Sequence, residues 1–220
     1  MLVNCGEKIL IRISAALLLL SSQLFNLFLG GCADNPGLAA YRQGDYSGAL
    51  REFRDEGDPA GEFAVGVMRY KGEGVPRDPV KAAECFRRAA ANGHAGAQYN
   101  LGQLYLRGDG VVKDHREAAR WFRLAAGQGY VKAQVNLGLM CARGDGVARD
   151  RLEAVRWFRL AADQGSSEAQ VYLGLMYARG DGVEKDRNEA AAWFRKAAEQ
   201  GSPRAKEYLK RLKENSLVAL

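Results

Sequence analysis

Histidine, cysteine, serine and aspartate are the residues that would mark an enzyme or a metal site in this chain of 220 residues. Neither His94 nor His115 has a second ligand at a spacing typical of a metal site. The serine motifs of acyl transfer, Gly-x-Ser-x-Gly and Ser-x-x-Lys, are absent. A glycine-rich phosphate loop followed by Lys-Ser or Lys-Thr is absent as well. The sequence therefore predicts no catalytic residue, no cofactor and no bound metal.

A recurring Arg-Gly-Asp string suggests adhesion or cation binding instead. It occurs in "LRGDGVVKD" (106–114), "ARGDGVARD" (142–150) and "ARGDGVEKD" (178–186), whereas "YKGEGVPRD" (70–78) lacks the triplet. Asp109 and Asp114 alone supply fewer oxygen ligands than a calcium loop uses. An adhesive ligand would need only one copy of the string. We therefore interpret the strings as turns that the fold requires at a fixed interval.

Residues 1–31 have the layout of a secretory signal peptide, with Lys8 and Arg12 before an apolar run that ends in small residues. The run is short for a membrane span of about 20 residues and contains Gln23 and Asn26. An ordinary cleaved signal and an uncleaved helix remain alternatives to the interpretation that follows.

The end of this signal, Leu29-Gly30-Gly31-Cys32, resembles a bacterial lipobox. The resemblance implies that Cys32 receives a lipid that anchors the protein in the cell envelope. If the host is a diderm bacterium, Ala33 after the cysteine resembles a signal for the periplasmic side of the outer membrane.

The charge of the chain is moderately basic, with a formal net charge of +6. The basic residues are spread along the sequence rather than clustered, which is not typical of a nucleic-acid-binding protein. We therefore predict no nucleic-acid partner.

The sequence aligns with itself when it is shifted by 36 residues, giving copies at 59–94, 95–130, 131–166 and 167–202. Several columns hold the same residue in every copy, among them Gly66, Gly102, Gly138 and Gly174, and Phe86, Phe122, Phe158 and Phe194. Such a period predicts a stack of equivalent structural units.

Each copy has the pattern of two helices. Ala97, Leu101 and Leu104 fall on one face of a first helix, over about 95–106, which Gly108 would end in a left-handed conformation. Asp114 begins the second helix, and the spacing to Glu117 predicts a capping box. The phenylalanine of the second helix is expected in the core, between repeats.

Cys85 and Cys141 lie two repeats apart on different helices in this arrangement. A disulfide requires Cα atoms within about 7 Å. We therefore expect no bridge between them.

The spacing of Leu101-Gly102, Gly108-x-Gly110, Asp114 and Trp121-Phe122 resembles the SEL-one-like repeat, a relative of the tetratricopeptide repeat. The resemblance implies an all-α fold, a right-handed α-solenoid of stacked antiparallel helix pairs, in a protein that acts as an adaptor and not as an enzyme. Some family members have been linked to β-lactam binding, so a cell-envelope hydrolase or β-lactam-binding protein is the alternative. A passive envelope spacer is a third possibility.

Both ends of the repeat array are predicted to be caps. Residues 32–58 comprise a lipidated linker and a degenerate helical pair, and residues 203–220 comprise a capping helix and a tail. Solenoid ends need such polar outer faces for solubility.

The first helix of each copy carries a second apolar face, which by resemblance to tetratricopeptide repeats lines the concave surface. A basic residue borders it in each copy. We predict that this groove binds a protein or peptide ligand, and its basic border favours an acidic one. Its predicted lining is Phe63, Val67, Tyr70, Lys71, Tyr99, Gln103, Leu106, Arg107, Val135, Leu139, Arg143, Val171, Leu175 and Arg179.

Overall fold

The computed structural model describes residues 35–214. The predicted signal peptide, the predicted lipidation site at Cys32 and the predicted tail at 215–220 lie outside these residues. The described residues form eleven α-helices and no strand. None of these helices is both long enough and apolar enough to span a membrane.

The described residues divide into two compact units, with the boundary between Asp55 and Glu56. The first contains α1 (Pro36–Arg42) and most of α2 (Tyr46–Glu56). Within it, Ala49 and Phe53 of α2 are buried, and the Phe53 ring packs on Gly37 of α1. The expected helical pair is therefore present.

The second unit contains four helix pairs and one final helix. We call the first helices of the pairs A helices: α3 (Pro59–Lys71), α5 (Ala95–Arg107), α7 (Val131–Arg143) and α9 (Ser167–Arg179). We call the second helices B helices: α4 (Pro79–Ala91), α6 (His115–Gly127), α8 (Arg151–Asp163) and α10 (Arg187–Glu199). The final helix is α11 (Pro203–Lys213).

Every A helix ends at a glycine in the left-handed conformation. Gly108 has φ of +75°, and its N–H donates to the Leu104 carbonyl at 2.8 Å. An L side chain is strained at this φ, so glycine is favoured at the position. The prediction that Gly108 terminates the first helix is confirmed.

The aspartate caps of the B helices are present, but the predicted capping box is not. Asp114 Oδ1 accepts the N–H groups of Arg116 and Glu117 at 2.8 and 3.1 Å. The Asp114 N–H donates to the Tyr105 carbonyl at 2.9 Å, so it does not need the Glu117 carboxylate. That carboxylate lies against Arg120 instead.

The core of each repeat is a phenylalanine packed on a glycine. The Phe122 ring is fully buried against Gly102, where an added Cβ would lie 2.7 Å from Cε1. The Tyr99 ring lies 5.8 Å from that of Phe122, centroid to centroid. The glycine–phenylalanine contact occurs in every repeat, so the glycine column allows close approach of the A and B helices.

A ladder of glutamines joins successive repeats. Buried Gln134 of α7 donates to the Ala126 carbonyl of the preceding repeat at 3.2 Å and accepts from Gln164 at 2.9 Å. Gln98 and Gln170 make the equivalent contacts. These bonds satisfy polar groups that burial would otherwise leave without partners.

The last repeat is covered by α11, from which Ala205 and Leu212 are buried in the same cluster as Phe194. The Tyr208 ring lies 5.3 Å from the Phe194 ring, centroid to centroid. The predicted all-α solenoid of stacked helix pairs is therefore confirmed in residues 56–214.

Helix α5 has an unusual N-cap, the imidazole of His94. Its Nδ1 accepts the Ala97 N–H at 3.1 Å, and the ring stacks on Phe63. Burial lowers the pKa of His94 below its ordinary value of 6.5. The unfolded chain therefore binds the proton more tightly, and the contribution of His94 to stability is present above pH 6.5 and lost as the pH falls through the lowered pKa.

We expect His94→Ser to reduce the loss of stability on acidification, because serine caps without titrating. Ser166 caps the equivalent helix α9 in this way. Urea unfolding at about pH 7.5 and about pH 5 should show the smaller loss for the variant. All other ionisable groups are common to both proteins, so their effects cancel in the comparison. An equal loss in the two proteins would contradict the prediction.

Candidate functional site

The Arg-Gly-Asp strings form the turns between the A and B helices. Gly110, Gly146 and Gly182 all have positive φ. A Cβ on Gly146 would lie 2.2 Å from the His115 carbonyl oxygen of the preceding repeat. The glycine therefore allows each turn to sit directly on the preceding B helix.

The aspartates of these strings are engaged within the fold. Asp109 pairs with Arg77 at 2.9 Å and Asp181 with Arg151 at 2.9 Å, in each case a cation of the preceding repeat. Asp145 contacts the His115 side chain of the preceding repeat. The strings thus connect neighbouring repeats, as expected of turns that the fold needs in each copy.

A cavity of about 230 Å³ lies between the A helices of the first and second repeats, and we call it the 1–2 socket. Phe86 of α4 forms part of its wall. On its α5 side, the Gln103 amide donates to the Tyr99 hydroxyl at 3.1 Å. Six of the predicted groove residues line it: Val67, Tyr70, Lys71, Tyr99, Gln103 and Arg107.

A second cavity, of about 290 Å³, lies between the A helices of the third and fourth repeats, and we call it the 3–4 socket. The rings of Phe158 and Tyr172 stack in its wall, with centroids 5.1 Å apart. Four of the predicted groove residues line it: Leu139, Arg143, Leu175 and Arg179.

The other four predicted residues line neither socket. Val135 and Val171 are buried, with 4% and 3% of their surface exposed, so their side chains are not open to a ligand. Phe63 packs on Phe86 and His94, and Leu106 packs against the core of the middle repeats. Part of the predicted apolar face is therefore buried in the packing of the repeats and does not face the groove.

The basic residues of the groove are all exposed. Lys71 pairs with Glu73 at 3.4 Å. Arg107, Arg143 and Arg179 form no ion pair with a carboxylate that the structure describes. These guanidinium groups are available to an anionic ligand.

No group suited to metal binding is found in residues 35–214. Cys85 and Cys141 are buried free thiols on α4 and α7. Burial raises the pKa of Cys141 to about 12, which keeps it protonated and unreactive at neutral pH.

Comparison with protein families identifies the repeat. The family model described as "Sel1 repeat" matches residues 59–94, 95–130, 131–166 and 167–202. The chain belongs to the Sel1 repeat family. Proteins of this family are generally non-catalytic scaffolds for protein–protein interaction.

Solved Sel1 structures resemble the chain over most of its length. A Sel1 repeat protein from Oxalobacter formigenes is 34% identical with a TM-score of 0.76, over 79% of this chain and 72% of its own. A protective antigen of uropathogenic Escherichia coli strains, which displays an SLR fold, is 38% identical with a TM-score of 0.73, over 77% of this chain. This chain spans only 36% of that antigen. No match was found among the curated proteins.

The helical pattern of the Sel1 repeat did not predict every residue of the two sockets. Arg149 and Arg151 line the 3–4 socket, although they flank the N-cap residue Asp150 and lie outside the apolar face of an A helix. Asn100 and Tyr172 occupy the same position in two different repeats, and each lines a socket. Positions at which the four aligned copies differ in residue type could have indicated these residues.

Proposed function

We propose that this Sel1 repeat protein is a scaffold whose groove binds a partner segment that carries carboxylates. The row of exposed basic residues beside the two sockets carries the proposal. Arginine forms charge-assisted, often bidentate hydrogen bonds with carboxylates. An adjoining apolar wall adds contact area and lowers the local dielectric constant, which strengthens these bonds.

The second part of the proposal is a lipid anchor at Cys32. The apolar run before it and the lipobox-like Leu29-Gly30-Gly31 support this part. The anchor would hold the groove at the cell envelope, on the periplasmic side of the outer membrane in a diderm host. A scaffold fixed there meets its partners at one surface.

Reversal of three groove charges tests the binding site. We expect substitution of Arg107, Arg143 and Arg179 by Glu to weaken partner binding by about a hundredfold or more, because attraction becomes repulsion at each site. A photo-crosslinking amino acid at position 99 or 139, in intact cells that express the chain, would capture the partner for mass spectrometry. Those crosslinks should disappear in the triple variant.

The matched control carries the same change of charge on the B helices. Arg87, Arg156 and Arg195 are exposed on α4, α8 and α10, and their substitution by Glu should leave the crosslinks intact. Circular dichroism verifies that both triple variants fold. If the groove variant retained every crosslink, or the control lost as many, the groove would not be the binding site.

Metabolic labelling tests the anchor. We expect an alkyne-bearing fatty acid to label the wild-type chain and to leave Cys32→Ser unlabelled, because only the thiol at this position would receive the lipid. Cys5→Ser is the matched control and should be labelled fully, since Cys5 lies in the predicted signal. Labelling of Cys32→Ser would rule out lipidation at this residue.

A further inference from the structure

The two sockets occupy equivalent positions, two repeats apart. Each lies between the A helices of two successive repeats. The core phenylalanine of the first of these two repeats forms part of its wall. The 1–2 socket places Val67, Lys71 and Arg107 where the 3–4 socket has Leu139, Arg143 and Arg179. Differences between the sockets therefore arise from their side chains.

The 1–2 socket is aromatic, and part of its charge is neutralised. The Arg77 guanidinium lies over the Tyr70 ring, 5.2 Å from its centroid, and pairs with Asp109 at 2.9 Å. Lys71 pairs with Glu73. The rings of Tyr70, Phe86 and Tyr99 line the wall, so this socket favours an apolar side chain.

The 3–4 socket differs at the position of Tyr70, where it has Ala142. Arg149 is the equivalent of Arg77 in this repeat, but Ala142 offers no ring for its guanidinium group to lie over. The Arg149 Nε–H donates to the Ala142 carbonyl at 3.2 Å instead. Asp181 pairs with Arg151 at 2.9 Å, so it does not neutralise Arg149. The change from tyrosine to alanine thus adds a guanidinium group to the socket wall.

The 3–4 socket consequently has a strong positive charge. Its lining contains Asp181 and four arginines, which leaves an excess of three positive charges. The arginines are Arg143, Arg149, Arg151 and Arg179. Several guanidinium groups around an apolar wall suit more than one carboxylate.

We propose that the groove binds its partner in one orientation, with an apolar side chain in the 1–2 socket and a cluster of Asp or Glu side chains in the 3–4 socket. The inference rests on the proposed function, because it assigns chemistry to two places in the same groove. The partner segment is therefore acidic at one end and apolar at the other.

Selection from a random-peptide display library on the full chain tests this assignment. The enriched peptides should combine neighbouring acidic residues with an apolar residue at a separate position. The affinity of a synthetic selected peptide is then measured by fluorescence polarisation for two variants with equal loss of charge: R143Q/R179Q and K71Q/R107Q. We expect about a hundredfold weaker binding in the first and less than about tenfold in the second.

Exchange of the peptide's acidic residues for Gln identifies the contact. The exchange should weaken binding to the wild type but have little further effect on R143Q/R179Q, since the pairs are already broken. Replacement of the apolar residue by Ala should weaken binding to both proteins by a similar factor.

Three results would overturn the inference, and they separate it from the proposed function. If K71Q/R107Q weakened binding as much as R143Q/R179Q, the groove would bind peptides without a division between its sockets. If neither variant affected the selected peptides, the groove itself would not be the binding site. Failure to enrich any peptide on a folded chain would count against both proposals.

Discussion

Gly146→Ala is expected to destabilise the protein by about 3 kcal/mol or more, because alanine at this position meets two penalties at once. Its φ of +71° is strained for an L side chain, and its Cβ would lie 2.2 Å from the His115 carbonyl oxygen. The oxygen belongs to the backbone of the preceding repeat and cannot move independently. Relief of the clash would therefore separate the second and third repeats.

Gly165→Ala separates these two penalties. Gly165 has φ of +87°, and an added Cβ would have no atom within 4 Å, so only the backbone strain applies. That strain costs about 1–2 kcal/mol. Urea unfolding followed by far-UV circular dichroism should rank the wild type above Gly165→Ala, and Gly165→Ala above Gly146→Ala. Equal stability of the two variants would show that the turn does not hold neighbouring repeats together.

Phe122→Ala is expected to cost about 3–5 kcal/mol, since it removes a ring with no exposed surface and leaves a cavity. The matched control is Leu124→Ala on the same helix, where 45% of the leucine is exposed. An exposed substitution of this kind costs less than about 1 kcal/mol. Thermal and urea unfolding of both variants measure the difference.

The glycine beneath Phe122 gives a sharper form of this test. Gly102→Ala alone should destabilise, because its Cβ would lie 2.7 Å from the phenylalanine ring. In the Phe122→Ala background the same change should stabilise by about 1 kcal/mol, because the clash is gone and alanine favours the helix. A Gly102→Ala effect of the same sign in both backgrounds would contradict the proposed packing of Phe122 on Gly102.

The sequence by itself determined the helices and turns of the repeats. Caps such as Asp114 and Gly108 act within one turn of the chain, so their residue types suffice to place helix ends. The core position of Phe122 follows from its spacing along one helix. Repetition of these local signals in four copies made each prediction more secure than it would be in one.

Other features depend on contacts between residues more than two helical turns apart in the chain, and the spacing of the sequence did not provide these. The Asp114 N–H bonds to the Tyr105 carbonyl, which removes the need for Glu117 in the cap. The contact between Asp145 and His115 and the glutamine ladder both join residues about 30 positions apart. The sequence pattern around Asp145 or around the glutamines does not indicate their partners.

Only the tertiary structure decided which residues of the groove are open. Val135 and Val171 share the periodicity of Leu139, yet they are buried in the core clusters that contain Phe158 and Phe194. Arg149 reaches the 3–4 socket from a turn, because Ala142 leaves room beside it. The physical reason is that the rotation and separation between successive repeats fix these contacts, and both are set by packing across the whole interface.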